Sequence, residues 1–295
     1  MSPTLVQIIV LAVIQGAAEL LPVSSSAHVI VAEKLMRLDP ASPEMMFLLI
    51  MLHAGTMGAV IAFFWKSWGR SFFPNRAAAG RAVLWIAAAT AATGVVGFPL
   101  KIFIERVVLR DHPGAAVEDL ASNLPLLAAC LAVAGAVIVT AGLRSRPGGD
   151  GAGQPGSQGA TLSAAPSLII GAVQGLCVPL RGLSRSGATI STGMLLGAPK
   201  RACEEFSFAL GVVITPPIMV REFQRFYQSR AASNAAVHVG ALVTPGLVGM
   251  SFSFLAGLVA LRWLSRWLEG GRWHYFGYYC FAAAAGVGAM AAMGY

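Results

Sequence analysis

The sequence predicts an all-α integral membrane protein built as inverted-topology repeats, with about six transmembrane helices and two re-entrant helical hairpins. Three observations carry this. The 295 residues are 56% hydrophobic and only 12% charged, and the mean hydropathy is +0.70. Soluble domains carry about 25% charged residues, so half that amount makes lipid the solvent for most of the surface. Apolar segments near the ~20 residues needed to cross a bilayer recur at roughly 44–65, 82–104, 124–143, 204–220, 236–261 and 274–294. Two further apolar regions, 5–38 and 166–199, are broken in the middle by proline, glycine and serine, at Leu21–Ser26 and Arg181–Gly187.

Each half of a broken region is too short to span, so each region is read as a hairpin that enters and leaves on one side. Non-helical backbone at membrane depth is tolerated where protein or a water-filled cavity satisfies it. The two regions also match one another. Gln15–Gly16 and Gln174–Gly175 are 159 residues apart, as are Ser25 and Ser184, and Phe47 and Phe206. The expected organisation is a single membrane domain with a first repeat over 1–143, a glycine-rich flexible linker over 144–165 and a second repeat over 166–295. One hairpin plus three crossings is an odd number of traversals, so the second copy is inserted upside down with its broken helix meeting the first near the midplane.

Charge placement gives an orientation. The segment 66–81 holds Lys66, Arg70, Arg76 and Arg81 without an acid. Taking that side as cytoplasmic puts eleven Lys/Arg inside against eight outside, in the direction of the positive-inside rule, with both termini facing out. The start MSPTLVQIIV lacks a positive leader region, so a cleaved signal peptide is not expected. The net charge of +8 does not signal nucleic acid, because the basic residues are scattered singly between apolar runs. The four cysteines stand alone in apolar stretches and read as packing residues, with no zinc spacing. Walker A, GxGxxG and HExxH motifs are absent, leaving nucleotide chemistry without support.

Most charged side chains fall in loops or at helix ends; Glu19, Arg181 and Arg185 do not. An ionisable group at membrane depth costs at least about 2.5–3.5 kcal/mol, which makes it a functional candidate. Gln15 and Glu19 lie on one face of the first half-helix. Pro22 ends that helix, Ser24, Ser25 and Ser26 open the next, and His28 follows. Ser184, Arg185, Ser186 and Gly187 open the corresponding helix of the second region, with Thr189 beyond. A helix N-terminus presents free N–H groups and the positive dipole end to an anion. Arginine adds a planar fork for phosphoryl oxygens, and Gly182 and Gly187 allow backbone to approach a ligand. Together these residues describe one phosphate-handling site. His53 reads as a hydrogen-bonded packing histidine more readily than a catalytic one, and Glu204 and Glu205 as a helix start solvated at the membrane edge beside Lys200 and Arg201.

The stretch QGAAELLPVSSSAH (15–28) resembles the first signature of the undecaprenyl-diphosphate phosphatase (bacitracin-resistance) family, and RGLSRSGATIS (181–191) its second. LHAGT (52–56) and EFSFAL (205–210) also resemble family segments, in the expected order. The resemblance implies six spanning helices and two re-entrant hairpins. It implies hydrolysis of undecaprenyl diphosphate to the monophosphate and phosphate, recycling the cell-wall carrier in the bacterial plasma membrane. By motif position Glu19, Ser25, His28 and Arg185 match catalytic positions. Ser24, Ser26, Ser184, Ser186 and Thr189 match supporting phosphate-site positions. Two positions depart from the pattern: Gln15 stands at the first acidic position, and Arg181 replaces the proline before Gly182.

The roles expected are these. Arg185 and the two helix N-termini hold the terminal phosphate, Ser25 attacks it or serves only as a ligand for attacking water, and His28 or Glu19 is the general base. Mg²⁺ or Ca²⁺ bridging Glu19 and the diphosphate is an optional cofactor, although one carboxylate makes a weak protein-only site. The substrate partner is a polyprenyl diphosphate lipid reached from the outer face, and a homodimer is left open. A polyprenyl-phosphate flippase of the same plan is the alternative function, since secondary transporters share it.

Overall fold

In the computed structural model the described residues are 3–40, 42–110, 123–144, 162–180, 182–233 and 239–294. Among them are ten α-helices and no strand: α1 Leu5–Leu20, α2 Ser25–Leu35, α3 Pro43–Ser71, α4 Arg76–Phe103, α5 Leu124–Arg144, α6 Ala164–Cys177, α7 Arg185–Leu195, α8 Lys200–Ser233, α9 Val239–Glu269 and α10 His274–Ala292. A π-helical turn, Ile104–Val108, continues α4. Six helical stretches are long and apolar enough to cross a membrane, within α3, α4 and its π turn, α5, α8, α9 and α10. The protein is a multi-pass membrane protein. The expected linker falls largely on residues 145–161, and Arg181 at a predicted ligand position; both lie outside the described residues.

The helix boundaries follow from local chemistry. Thr4 and Gln7 form a reciprocal capping box at the start of α1. α1 stops at Leu20 because Leu21, the residue before Pro22, is pushed to extended backbone (ψ 151°). Ser42 caps α3 with Pro43 in its first turn, and Asn75 caps α4. The 16 residues of α1 reach about 24 Å and the 14 of α6 about 21 Å, short of a ~30 Å hydrocarbon core. α2 and α7, at 11 residues each, are shorter still.

Several spans run past the limits read from hydropathy. α3 extends to Ser71, α4 begins at Arg76 and α9 runs to Glu269, while α8 continues to Ser233 through Pro216 and Pro217. Lys66, Arg70, Arg76, Arg81, Arg262 and Arg266 therefore stand on helix ends and not in loops. Lysine and arginine are good helix formers, and their long stems carry the charge out of the apolar layer, so the backbone need not break where polarity begins. A second correction concerns Glu204 and Glu205, expected to be solvated at the membrane edge. Both are buried (2% and 3% exposed). Ser265 donates to Glu204; Ser67 and the Arg201 Nε–H (3.1 Å) donate to Glu205. These bonds tie the C-terminal ends of α3 and α9 to the N-terminal end of α8.

The helices cross between the two halves of the chain. α1 packs along α9 and α6 along α4, α5 pairs with α10, and α3 lies between α8 and α9. Glycines set the closest approaches. A Cβ on Gly16 would stand 2.8 Å from the Ala256 Cβ, and one on Gly175 would stand 2.9 Å from the Val96 Cβ. A Cβ on Gly135 would meet the Gly277 carbonyl at 2.9 Å, and one on Gly277 the Gly135 carbonyl at 2.7 Å. Lipid tails are as apolar as leucine, so association of such helices rests on close backbone packing, which small residues permit.

This crossing generates a test. Gly135→Leu forces α5 and α10 apart and is expected to cost about 1–3 kcal/mol of stability by overpacking. Thermal denaturation of the detergent-solubilised variant should show a clearly lowered midpoint. An unchanged midpoint would mean that the α5–α10 contact contributes little.

Candidate active site

Glu19, in the last turn of α1, is the hub. Its side chain is 18% exposed and accepts from three directions. The Ser25 hydroxyl donates to Oε2 at 2.6 Å, the Gln15 amide donates to Oε2 at 3.2 Å, and Arg185 Nη2 donates to Oε1 at 3.0 Å. Ser25 and Arg185 thus stand on the two oxygens of one carboxylate, although 160 residues separate them in the chain. His53, from the middle of α3, brings Nε2 to 4.0 Å from Oε2, while its Nδ1–H donates to the Leu49 carbonyl at 2.8 Å.

Two helix N-termini face this group, and they are finished differently. Ser184 caps α7 by accepting from the Gly187 N–H at 3.2 Å. Ser24 occupies the corresponding position of α2 with a left-handed φ of 66°, makes no side-chain cap bond, and its buried hydroxyl has no partner. The first turn of α2 therefore keeps N–H groups that Ser24 does not satisfy, the requirement for binding an anion. Arg185 is the first residue of α7, and its second nitrogen, Nη1, is buried without a partner. A guanidinium with one end fixed on Glu19 and the other unpaired offers its donors to an incoming oxyanion.

The remaining predicted residues have definite positions. Ser186 Oγ donates to the Leu21 carbonyl at 3.4 Å, joining the two broken regions. Gly187 packs against Pro22, where a Cβ would come within 3.1 Å of the proline Cβ. Gly182 takes φ 108°, open to glycine, with Cys130 and Leu127 closing in. Thr189 donates to the Arg185 carbonyl at 2.7 Å and shares a 2.6 Å hydroxyl contact with Ser207. Ser26 is half-buried beside Ser25. His28 turns elsewhere: its Nδ1–H donates to the Ser24 carbonyl at 2.8 Å, which leaves Nε2 to accept from the Tyr279 hydroxyl at 2.7 Å. Both ring nitrogens are engaged away from Ser25. Gln174, the counterpart of Gln15, is also elsewhere, donating to Thr93 at 3.2 Å.

A cleft beside Glu19 and Arg185 is lined by His53 and Thr56 of α3 and by Gly211 and Thr215 of α8. His53 carries a signal in the sequence, an ionisable side chain inside an apolar span, and the structure turns it from a packing residue into a wall of the site. Gly211 carries none. A Cβ there would overlap the Arg185 Nη1, so this glycine provides the space in which the guanidinium lies.

Two comparisons bear on the chemistry. The family described as bacitracin resistance protein BacA matches residues 8–286. Undecaprenyl-diphosphatase 2 of Acinetobacter baylyi is 50% identical over 280 residues, covering 94% of this chain and 95% of that protein. Undecaprenyl-diphosphatases of Desulfosudis oleivorans and Rhodopirellula baltica are 32% and 28% identical, each over about nine-tenths or more of both chains.

The ion pair yields a stability test. Glu19→Gln leaves Arg185 without a counter-ion, and removing one partner from a buried pair costs up to about 3–5 kcal/mol, less here because both side chains retain some exposure. The double variant Glu19→Gln/Arg185→Gln should recover part of that loss in thermal unfolding. A double variant whose loss equals the sum of the two single losses would show that the charges are not coupled.

Proposed function

The chain belongs to the bacitracin resistance protein BacA family, and we propose that it hydrolyses undecaprenyl diphosphate through a serine–glutamate–arginine site. The single observation that carries the mechanism is the 2.6 Å bond from the Ser25 hydroxyl to Glu19. A carboxylate so placed accepts the serine proton as Oγ attacks the terminal phosphorus. A Ser25 Oγ–P bond forms while the bond from that phosphorus to the bridging oxygen breaks, and undecaprenyl phosphate leaves. Glu19 passes the serine proton to the departing phosphate oxygen and is again a carboxylate. It then takes a proton from water as that water attacks the phosphoserine, and returns it to Ser25 Oγ as the Oγ–P bond breaks and inorganic phosphate leaves. Arg185, anchored through Nη2, offers Nη1 to the phosphoryl oxygens, and the first turn of α2 adds N–H groups where negative charge grows. In this reading the base is Glu19, because the bonds of His28 to Ser24 and Tyr279 occupy both its ring nitrogens. His28 then holds the Ser24 backbone in its left-handed turn.

The donor set does not fit a resident Mg²⁺ or Ca²⁺. Glu19 is the carboxylate of the group, and serine, amide and guanidinium hydrogens already point at its oxygens. No step is routed through a metal; a cation would arrive with the diphosphate if it takes part.

The reading extends to topology. The equivalence of the halves is supported by Gly16 against Ala256 and Gly175 against Gly97, two contacts in which both partners are offset by 159 residues. It is supported again by the mutual approach of Gly135 and Gly277. Inverted repeats with α1–α2 and α6–α7 as re-entrant hairpins account for these pairings. Depth agrees: His53 lies about 15 Å along α3 from its start and Gly211 about 16 Å along α8 from its own start, which packs at the far end of α3, so both stand near the midplane. In the plasma membrane, the short α2 would leave the site accessible from the outer face. A cleft that also served transport would need a second opening.

Two experiments test the proposal. Arg185→Lys keeps the charge but loses the fork, and should reduce phosphate release from undecaprenyl diphosphate by roughly 10²–10³-fold in purified, folded protein. Turnover near wild type would mean that positive potential alone suffices. Ser25→Ala should abolish hydrolysis while retaining diphosphate-lipid binding, and acid quenching of the wild type should trap a phosphoprotein absent from the variant. Full hydrolysis by Ser25→Ala would leave direct attack by water, whereas a wild type that moves polyprenyl phosphate across liposomes without cleaving the diphosphate would mean transport.

A further inference from the structure

The last turns of α9 and the turn that follows them border a groove of about 390 Å³ that shares no residue with the cleft at Glu19. Its lining is Val259, Arg262, Trp263, Arg266, Trp267 and Arg272. Arg262 and Arg266 are one helical turn apart and so share a face of α9, as do Trp263 and Trp267. Gly271, at φ 69°, turns the chain back, and the Arg272 N–H bonds to the Trp267 carbonyl at 2.8 Å. That turn returns the third arginine to the end of α9. The Trp267 ring is fixed by Trp263 at 5.0 Å, Phe276 at 5.1 Å and Tyr275 at 5.8 Å. The groove thus has a rigid aromatic wall and three guanidiniums.

Among the described residues the arginines have no carboxylate partner. All three are exposed. Glu269 is the one acid in the segment 262–273, which leaves the segment positive. The groove also sits at a defined depth. The apolar run of α9 gives way to charged residues from Arg262, the helix itself ends at Glu269 and α10 begins at His274, which puts the groove at the polar end of two candidate membrane spans. Tryptophan favours that level, and arginine reaches phosphate from it. Val259, 64% exposed, lies one turn deeper into the span and continues the groove as an apolar track.

We propose that this groove binds an anionic glycerophospholipid, with the arginines on its phosphate and an acyl chain along Val259. A free phosphate would use the guanidiniums but leave the aromatic wall and the apolar track without a role. Basic pockets at the membrane face between helices bind acidic headgroups by the same forces. The site is separate from the phosphoryl chemistry and stands or falls independently of it.

Bromine on an acyl chain quenches nearby tryptophan, which makes Trp263 and Trp267 the reporters. Full-length protein in mixed micelles is titrated with brominated phosphatidylglycerol and, separately, with brominated phosphatidylcholine. The expected result is stronger quenching by the anionic lipid than by phosphatidylcholine, relieved by unbrominated phosphatidylglycerol, with that excess lost in Trp263→Phe/Trp267→Phe, whose four remaining tryptophans give the background. Arg262→Gln/Arg266→Gln/Arg272→Gln should weaken the association roughly a hundredfold, with hydrolysis retained as evidence of folding. If that variant fails to fold, relief by unbrominated lipid in the wild type still decides the matter. Equal quenching by the two lipids would overturn the proposal, as would a preference surviving in the triple variant. Relief by millimolar inorganic phosphate would overturn the lipid in favour of a soluble anion.

Discussion

The arrangement depends on the bond between Glu19 and Arg185. Neither side chain is tolerable alone in an apolar surrounding; within a membrane an isolated charge costs at least about 2.5–3.5 kcal/mol. Brought to 3.0 Å, each supplies the other's counter-charge, and the ends of two broken segments from opposite halves of the chain are held at one depth. The same geometry prepares chemistry. Arg185 spends one nitrogen on Glu19 and keeps the other unpaired, while Glu19 retains an oxygen for Ser25. An ion pair satisfied in full would be structural only; this one is left open at the Arg185 Nη1, the donor that the proposed mechanism gives to the phosphate.

Surrounding helices maintain that opening by subtraction. Gly211 of α8 contributes no side chain where the guanidinium lies, Gly187 lets α7 approach Pro22, and Gly16 and Gly175 let the short helices sink into α9 and α4. At Gly16 and Gly175 a methyl group would meet the backbone of the facing helix, and at Gly211 it would displace the guanidinium itself. Because lipid offers no hydrophobic drive between helices, such contacts both hold the bundle together and fix the site. The polar ends follow the same economy. Glu204 and Glu205 are carried inside with hydroxyl partners and Arg201, joining three helix ends, while the unpaired arginines near Trp267 face the headgroup layer.

Much of this was legible in the order of residues. Spans, breaks and the intramembrane glutamate and arginine follow from hydropathy and from the cost of charge in lipid, properties that belong to segments. Span limits were misread where Lys66, Arg70, Arg81, Arg262 and Arg266 suggested loops, because a snorkelling side chain lets a helix continue past the point where its sequence turns polar. His28 and Gln174 show a different limit. Both match motif or repeat positions, yet His28 bonds to Tyr279 and Gln174 to Thr93, partners 251 and 81 residues distant.

The sequence by itself determined that the chain lives in a membrane, that two of its apolar segments are broken in the middle, and that Glu19, Ser25 and Arg185 need a shared polar environment. It did so because composition and periodicity set the solvent of each segment, and a buried charge demands a partner whatever the fold. Only the tertiary structure decided which partner each group takes: Glu19 over His28 for Ser25, Tyr279 for His28, and empty space at Gly211 for the arginine. Those choices arise from side chains brought within 3 Å by helices packed across the whole chain. At that range, a rotation of one helix by one residue exchanges one hydrogen-bond partner for another without altering the apolar pattern that the sequence displays.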